Sequence, residues 1–543
     1  MKRLMEGAAG WVDERTGIKT ALRNFLFEDI PASAGWPQVF GSVALFLFLV
    51  QALTGLLLAF NYAPTPGEAY DSLLYIVRQV TAGKMIRGLH HWGASLMIVV
   101  VFLHMAQVFI YGAYRKPREA TWIAGSVLLL FTLAFGLTGY LLPWDNRAYW
   151  GTMVTTRIVA SVPLLGLPLT RLIGASNGIG VITFSRFYTA HTVLLPFATV
   201  ALIALHVYLV RRHGIAPKAS VAGAHQKFYP KQAFRDIVAV FISFLILFGA
   251  AALLELPLER MADPTDTTYV PRPEWYFLFL FQVLKLFQGS LEPIGSVVLP
   301  TLAVLVLFAV PFLERGKLRE IQRRTMAIGT VLLVFAGWGA LTGAAAASSP
   351  RSSSTQSGSE LAGEWAQFSP EQIAGIGYFR MAHCGTCHNL LTGNPKPGPN
   401  LVTSALHHSR PWLIQHFKNP AEAQPDAKPG FMRFSLPQLN ALSLLIQDLE
   451  PDTAAKLDDL PPEIIAGAQV YVVSGCGSCH KVNASGGGIG PPLNGLASRR
   501  SRQWVAAHFV APQKLSPGSI MPPYHFASAE EAALISYLFT LPD

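Results

Sequence analysis

Seven uninterrupted apolar runs, near residues 38–60, 92–112, 121–142, 187–210, 237–256, 296–313 and 326–346, fill most of the first two-thirds of the chain. A helix rises about 1.5 Å per residue, so each run can cross most of a roughly 30 Å hydrocarbon core. Inside lipid the backbone must satisfy its own hydrogen bonds, which leaves helix as the form these runs take. They predict an all-α fold built on a seven-span transmembrane bundle. A composition of 51% hydrophobic against 14% charged residues agrees, because it is hard to reach without several spans.

The formal charge of +10 belongs to that membrane part, since residues 365–543 hold 12 Lys/Arg and 12 Asp/Glu. With a cytoplasmic N-terminus, the segments 1–37, 113–120, 211–235 and 314–324 lie inside and carry 19 Lys/Arg. The outer segments 61–89, 143–186 and 257–294 carry 10. This is the positive-inside pattern of a multi-pass protein of a bacterial cytoplasmic membrane, in contact with lipid. Basic residues confined to short loops between spans give no support to nucleic-acid binding. The first 37 residues mix charges with short apolar stretches and show no cleavable signal peptide. Seven spans from an inside start put the C-terminal tail on the outer, periplasmic side, after the Ser/Gly-rich linker ASSPRSSSTQSGSE at 347–360.

All four cysteines fall in two copies of one pattern, CGTCH at 384–388 and CGSCH at 476–480. C-x-x-C-H is the attachment pattern of a c-type haem: two thiols form thioethers to the porphyrin, and the adjacent histidine binds iron. Cys384, Cys387 and His388, and Cys476, Cys479 and His480, are thus the candidate sites of two covalent c haems. A redox dithiol or a zinc half-site requires no histidine directly after the second cysteine in both copies. Such attachment takes place outside the cytoplasmic membrane, where the span count independently puts the tail.

Each copy is followed by a Gly-Pro stretch, Gly398–Asn400 and Gly490–Gly495, and later by a methionine, in PGFMRF and SIMPPY. On these features the tail resembles two tandem class I cytochrome c modules. The resemblance implies Met432 and Met521 as the second iron ligands. Met432 lacks the proline that follows Met521, and His407, His408 and His416 are alternatives near it.

The second span contains His90, His91 and His104, and the fourth contains His191 and His206. Ionisable residues at these depths are rare and mark functional sites. A step of 14 residues is just under four helical turns and 15 just over four, so each pair lies nearly on one face, roughly 21 Å apart. Two facing helices of this kind can hold two stacked b haems non-covalently. Both helices run from outside to inside, so His90 pairs with His191 near the outer surface and His104 with His206 near the inner one. Gly41 and Gly55 in the first span, and Gly125 and Gly139 in the third, repeat the 14-residue step. Glycine costs helix stability, and its recurrence at the histidine interval predicts backbones that make room for two flat macrocycles. His91 falls off the 14-residue step and reads as a polar residue at a helix end.

Across roughly residues 10–346 the chain resembles cytochrome b of the bc1/b6f quinol oxidoreductases. The carrying residues are RGLHHW with LHMAQ, YRKPREATW, GYLLPWDN followed by YWG, RFYTAH with ALHVYLVRRHG, and PRPEWYFLFLFQVLK. Seven spans and the 15-residue step from His191 to His206 resemble the b6f arrangement, whose seven helices are split between two chains. The resemblance divides the chain into a cytoplasmic segment 1–36, a four-helix haem-binding part 37–215 and a three-helix part 216–346. A linker at 347–364 and cytochrome c modules at 365–455 and 456–543 complete the expected division. The b6f group carries an extra haem on a cysteine of the first span; Val39 stands there in this chain.

Within that family PEWY, Pro273 to Tyr276, belongs to the quinol-oxidising pocket, with Glu274 taking a quinol proton and Pro273 and Tyr276 as further catalytic candidates; as a bare tetrapeptide it also reads as an interfacial aromatic belt with a helix-capping glutamate. Arg87, Arg118 and Arg211 match positions that meet haem propionates or the inner haem edge; positive-inside anchoring is the plain alternative for Arg118 and Arg211. The implied activity is a quinol:cytochrome c reductase running a Q-cycle. Quinol is oxidised at the outer site, one electron goes to a Rieske iron–sulfur protein, and the other crosses through the two b haems to reduce quinone inside. No stretch here offers the Cys/His ligands of a Rieske cluster, so that protein is a separate partner. The exported tail then passes electrons to a soluble cytochrome c or another exported acceptor, and the family implies a homodimeric complex. A membrane conduit or dehydrogenase anchor without a Q-cycle is the alternative.

Overall fold

The computed structural model describes residues 10–176, 178–216, 224–264, 266, 269–314, 320–348, 364–390, 396–404, 408–420, 433–483, 485–516 and 518–542. Most of the expected linker and Met432 and His407 lie outside the described residues. Seven helices are long and apolar enough to cross a membrane: α1 (Trp36–Ala59), α2 (Gly83–Tyr111), α3 (Glu119–Tyr140), α4 (Val181–His213), α5 (Lys231–Leu253), α6 (Gly289–Leu313) and α7 (Thr325–Ala347). Strand is confined to two short antiparallel pairs among the described residues, β1 (Asp29–Pro31) with β2 (His225–Lys227), and Lys481–Val482 with Ser485–Gly486. The expected all-α class and span count hold.

α2, α4, α5 and α6 begin six to nine residues before their apolar runs. α2 begins at Gly83 rather than near 92, because Arg87 interrupts the hydropathy and not the helix: its guanidinium is buried and donates to the Pro257 carbonyl at 2.8 Å. Large apolar side chains such as Leu49, Leu53, Phe197 and Leu253 stay exposed on the helices, as lipid-facing positions require.

The chain divides into two compact units, Met1–Glu259 with Thr268–Pro350, and Arg260–Thr267 with Arg351–Asp543. In the first, α1 packs on α2, α3 on α4, and α5 on α2. Few polar contacts fix these neighbours. Ser42 Oγ donates to Asp236 Oδ2 at 2.9 Å between α1 and α5, and Trp122 Nε1 to the Leu307 carbonyl at 2.8 Å between α3 and α6. At the C-terminal end of α2, Arg324 is buried, donates to the carbonyls of Phe109 and Ile110, and pairs with Glu314 at 2.7 Å. A cation there suits the negative end of the helix dipole.

The second unit is built on α8 (Pro370–Met381), α9 (Leu436–Gln447), α10 (Pro462–Val473) and α11 (Ser528–Phe539). One continuous apolar cluster joins Ile373 and Ile376 of α8, Leu445 of α9, Ile464 and Tyr471 of α10, and Tyr537 of α11. The stretches 365–455 and 456–543 thus share a core. Their internal packing repeats: α8 lies on α9 as α10 lies on α11. Gly375 allows the first contact, since a Cβ there would sit 2.8 Å from the Ala441 carbonyl. Gly467 allows the second, where the Ala533 carbonyl would be 2.2 Å away. The two glycines are 92 residues apart, as are Cys384 and Cys476, Pro399 and Pro491, Trp412 and Trp504, and His416 and His508.

Candidate functional site

His90 and His191 face each other from α2 and α4 with ring centroids 6.2 Å apart and planes at 72°. Two threonines orient them. Thr54 Oγ1 donates to the Val50 carbonyl at 2.7 Å, so its lone pair receives the Nδ1–H of His90 at 3.0 Å. Thr138 Oγ1 donates to the Ala134 carbonyl at 2.8 Å and stands 3.1 Å from Nδ1 of His191 in the same way. With Nδ1 protonated and held outward, Nε2 of each ring carries the free lone pair. Both threonines precede the predicted glycines in the same triplet, Leu-Thr-Gly, at 53–55 and 137–139.

The four glycines face imidazoles. A Cβ at Gly139 would lie 2.6 Å from His191 Cε1, at Gly55 3.1 Å from His90 Cε1, at Gly125 3.2 Å from His206 Cε1, and at Gly41 3.5 Å from His104 Cε1. The room they provide, expected for macrocycles, is therefore seen first as room for the histidine rings behind them. Gly41 and His104, with Gly125 and His206, form a second level, and His104 and His206 lie within electrostatic range of each other. Among the described residues Nδ1 of His104 is buried without a hydrogen-bond partner.

The unequal steps, 14 residues in α2 and 15 in α4, have a structural cause. α4 opens into a π-turn at Ala190–Leu194, which holds His191 and absorbs one extra residue. Pro196 in the following turn has no N–H to offer the Thr192 carbonyl, which favours the wider turn. Both histidine pairs therefore span about the same 21 Å.

Of the arginines, Arg118 donates to the carbonyls of His213 and Gly214, each at 2.8 Å, closing the end of α4. Arg211 pairs with Glu28 at 3.1 Å over the Phe25 ring. Near the His104 level, an apolar cavity of about 240 Å³ is lined by Trp36, Val39, Phe40, Val100, Ile242 and Ser243. Val39 and Phe40 directly precede Gly41, and Val100 lies one turn before His104.

Glu274 caps the short helix Trp275–Leu286, outside the seven spans. It pairs with Arg147 at 3.4 Å in a pocket where the two side chains are 16% and 24% exposed. Burial pushes its carboxyl above the usual range, and the Arg147 guanidinium opposes that rise. Asp145 is buried and caps the helix Asn146–Ala160 by accepting from Ala148 N at 2.8 Å; its other oxygen accepts from Glu259 N at 3.0 Å. Tyr269 donates to Glu259 at 2.6 Å, and Trp275 Nε1 donates to Ser95 Oγ of α2 at 3.2 Å. Tyr276 is buried with its hydroxyl against Gly136, where a Cβ would be 2.9 Å away. Sequence reasoning missed Arg147, which falls between the GYLLPWDN and YWG motifs, and Asp145 inside the first of them.

In the second unit the two C-x-x-C-H segments fold as matching tight turns, Cys384–Thr386 and Cys476–Ser478. The four cysteines form no disulfide with one another, and burial pushes the thiols of Cys384 and Cys476 up to about 11. Nδ1 of His388 donates to the Pro399 carbonyl at 3.0 Å, and that of His480 to the Pro491 carbonyl at 2.8 Å. A carbonyl only accepts, so Nε2 is left for iron in both. The glycine of each Gly-Pro pair permits the approach: a Cβ at Gly398 or Gly490 would be 2.6 or 2.5 Å from the histidine Cε1. Facing the sites are two equivalent stacked pairs, Trp412 on His416 at 5.2 Å and Trp504 on His508 at 4.5 Å. His416 stands 6.3 Å from His388, and His408 stacks on the other face of Trp412 at 3.7 Å. Met521 packs against the core cluster.

Metal–imidazole bonds are ~2.0–2.1 Å long, so the spacing of His90 and His191 admits one metal atom between their Nε2 atoms. Among the described residues no group of three or more His, Cys, Asp or Glu is placed to hold a bare ion. Axial pairs of this kind fit a metal whose remaining ligands come from a macrocycle.

Comparisons with known proteins agree. The family model for cytochrome b/b6/petB matches residues 31–214, that for cytochrome b(C-terminal)/b6/petD residues 261–359, and that for cytochrome c residues 464–542. The chain is 34% identical over 339 residues to the cytochrome bc complex cytochrome b subunit of Chlorobaculum thiosulfatiphilum, covering 61% of this chain and 79% of that one. It is 37% identical over 206 residues to cytochrome b6 of Synechococcus sp. (strain JA-3-3Ab), covering 38% of this chain and 96% of the relative. A chain of a solved hyperthermophilic respiratory Complex III superposes with a TM-score of 0.57 at 28% identity, covering 63% of this chain and 92% of that one. With seven spans, paired intramembrane histidines and C-x-x-C-H turns in one polypeptide, the chain belongs to the cytochrome b family of bc/b6f-type complexes and carries a cytochrome c domain at its C-terminal end.

Proposed function

We propose that this chain is the haem-carrying core of a proton-translocating quinol:cytochrome c oxidoreductase that runs a Q-cycle, with two b haems, two c haems and a Rieske iron–sulfur protein as separate partner. One observation carries the reading. Within four residues of α3, Gly136 accommodates Tyr276 of the PEWY segment, and Thr138 and Gly139 accommodate His191. The quinol pocket and the outer histidine pair thus share one wall.

Bound between the paired histidines, haem b supplies one-electron chemistry at two depths in the membrane, and haem c supplies it outside. The chain's residues do the rest. Glu274, buried beside aromatic rings, takes a proton from the quinol hydroxyl. Tyr276 and Trp275 close the pocket around it, anchored on Gly136 and Ser95. Thr54 and Thr138 hold the outer histidines in the ligating tautomer, and the Pro399 and Pro491 carbonyls do so for His388 and His480. The cavity beside Val39 serves quinone reduction at the inner level. The complex is a homodimer in the bacterial cytoplasmic membrane, its N-terminus inside, its tail outside delivering electrons to a soluble cytochrome c or similar acceptor.

The purified complex is expected to contain two b and two c haems per chain, to retain a Rieske protein, and to be inhibited by outer-site quinol analogues. A complex without an iron–sulfur protein that resists such inhibitors is a conduit or anchor instead. Met521 is the second ligand of the His480 haem. For the His388 haem, Met432 competes with His416, the described side chain that faces His388. A methionine–iron charge-transfer band integrating to two haems assigns Met432, and one integrating to a single haem assigns His416. Thr138→Val is expected to weaken b haem retention about 10- to 100-fold, read by haem loss to a competing apoprotein.

A further inference from the structure

We propose that Arg147 is a positioning residue for the quinol-oxidising base, ion-paired to Glu274 so that this carboxylate waits ionised in a buried pocket, and that it thereby sets the acid limit of quinol oxidation. The inference rests on the reading of Glu274 as the proton acceptor. Its geometry is independent of that reading. Arg147 opens the helix Asn146–Ala160, and its guanidinium reaches Glu274 at 3.4 Å with both side chains largely buried. Its backbone is fixed to the same segment as its partner. The Tyr140 hydroxyl sits between the carbonyls of Arg147, at 2.9 Å, and Arg272, at 2.5 Å, two residues before Glu274. Gly151 gives the Tyr140 ring its place, since a Cβ there would be 2.7 Å from it. The two partners of the pair are thus brought together by one tyrosine.

A carboxyl in such a pocket is driven towards its neutral form by burial, and a neutral carboxyl takes no proton from quinol. Among the described residues Glu274 forms its ion pair with Arg147, and Arg272, two residues before Glu274, acts on Glu259. The groups around the pair are Asp145 from the same helix as Arg147, Tyr140 from α3, Tyr276 from the helix of Glu274, and Glu259 and Tyr269 from the segment before it. On the α2 side stand Arg87 and His91, within electrostatic range of Asp145 and of Arg147 respectively. Of these the Asp145 carboxylate opposes ionisation of Glu274, while the phenols stay neutral and carry no charge against it. Arg147 is the cation that favours ionisation, at 3.4 Å, with help from the Trp275 backbone N–H. When quinol reacts, one O–H bond breaks, its proton settles on Glu274 and one electron leaves to the iron–sulfur partner, so the ring is left as a neutral radical that keeps its second O–H and second electron. The neutral carboxyl then loses its hold on Arg147, whose charge remains balanced by the Asp145 carboxylate.

The test is quinol oxidation by the whole complex from pH 5 to 9, for wild type, Arg147→Met, Arg147→Gln and Glu274→Gln, each checked for haem content by its optical spectrum. Removing the cation leaves burial unopposed, so the acid limb of both Arg147 variants is expected to move alkaline by roughly 1–3 units. At a pH one unit below the wild-type midpoint this reads as a further tenfold or greater loss of rate, with the alkaline plateau kept. The proposal is overturned when the limb stays in place in the Arg147 variants while Glu274→Gln abolishes it. Should Glu274→Gln leave both rate and limb unchanged, the reading of Glu274 falls instead. A merely structural arginine would lower the rate at every pH and move no limb.

Discussion

Replacing Glu274 by glutamine is expected to slow quinol-dependent reduction of the c haems by about 10²-fold or more while leaving the b and c spectra unchanged, since a positioned general base contributes 10²–10⁴-fold. The amide keeps the size and the hydrogen-bonding reach of the side chain, so the Trp275 and Tyr276 packing survives. What it removes is the acceptor for the proton. Burial raises the carboxyl and Arg147 lowers it, so the active, ionised form is lost as the pH falls through its titration point. The wild-type rate is therefore expected to decline on the acid side, and the residual rate of the glutamine variant to lack that limb. Stopped-flow reduction of the c haems by a quinol at several pH values measures both. An unchanged rate removes Glu274 from the mechanism.

The membrane fold was legible because lipid imposes one rule, that the backbone pair within itself, and apolar runs of sufficient length then give the helices directly. Helix ends were less legible. Arg87 lies inside α2 because a long-range partner, the Pro257 carbonyl, satisfies it, and no window of sequence displays a partner 170 residues away. The histidines and their glycines were legible as an interval, but the role of the glycines needed coordinates. The interval does not say whether the missing side chain makes room for a macrocycle or for the imidazole itself. The orienting threonines carried a signal that went unread. GSV and LTG occur in both α1 and α3, at 41–43 and 53–55 and again at 125–127 and 137–139, so Thr54 and Thr138 stand in corresponding places. The 92-residue repeat in the tail likewise marks Trp412 and His416 as counterparts of Trp504 and His508. Arg147 had no such signal, because an arginine in an outer loop is unremarkable until the PEWY segment folds back beside it.

The four haem-side glycines should fail in an order that their distances fix. An alanine methyl at Gly139 would stand 2.6 Å from His191 Cε1, closer than real Cβ contacts come, so the ring that Thr138 orients must move. Gly139→Ala is expected to lose the b haem proposed at His90 and His191, taking the ratio of b to c haem from the proposed two against two to one against two, and with it nearly all transmembrane electron transfer. Gly55 and Gly125 would place the methyl at 3.1 and 3.2 Å from the His90 and His206 rings, tight enough to demand a small shift. Their alanine variants should keep both haems and bind one of them less firmly. Gly41, at 3.5 Å from the His104 ring, is in ordinary contact range, and Gly41→Ala should resemble wild type. General helix stabilisation by alanine predicts the opposite trend, a gain of stability at all four positions of up to about 1 kcal/mol each. Haem quantification by pyridine haemochrome across the series separates the two. Equal haem loss at Gly41 and Gly139 would mean that these glycines serve the macrocycle rather than the imidazoles.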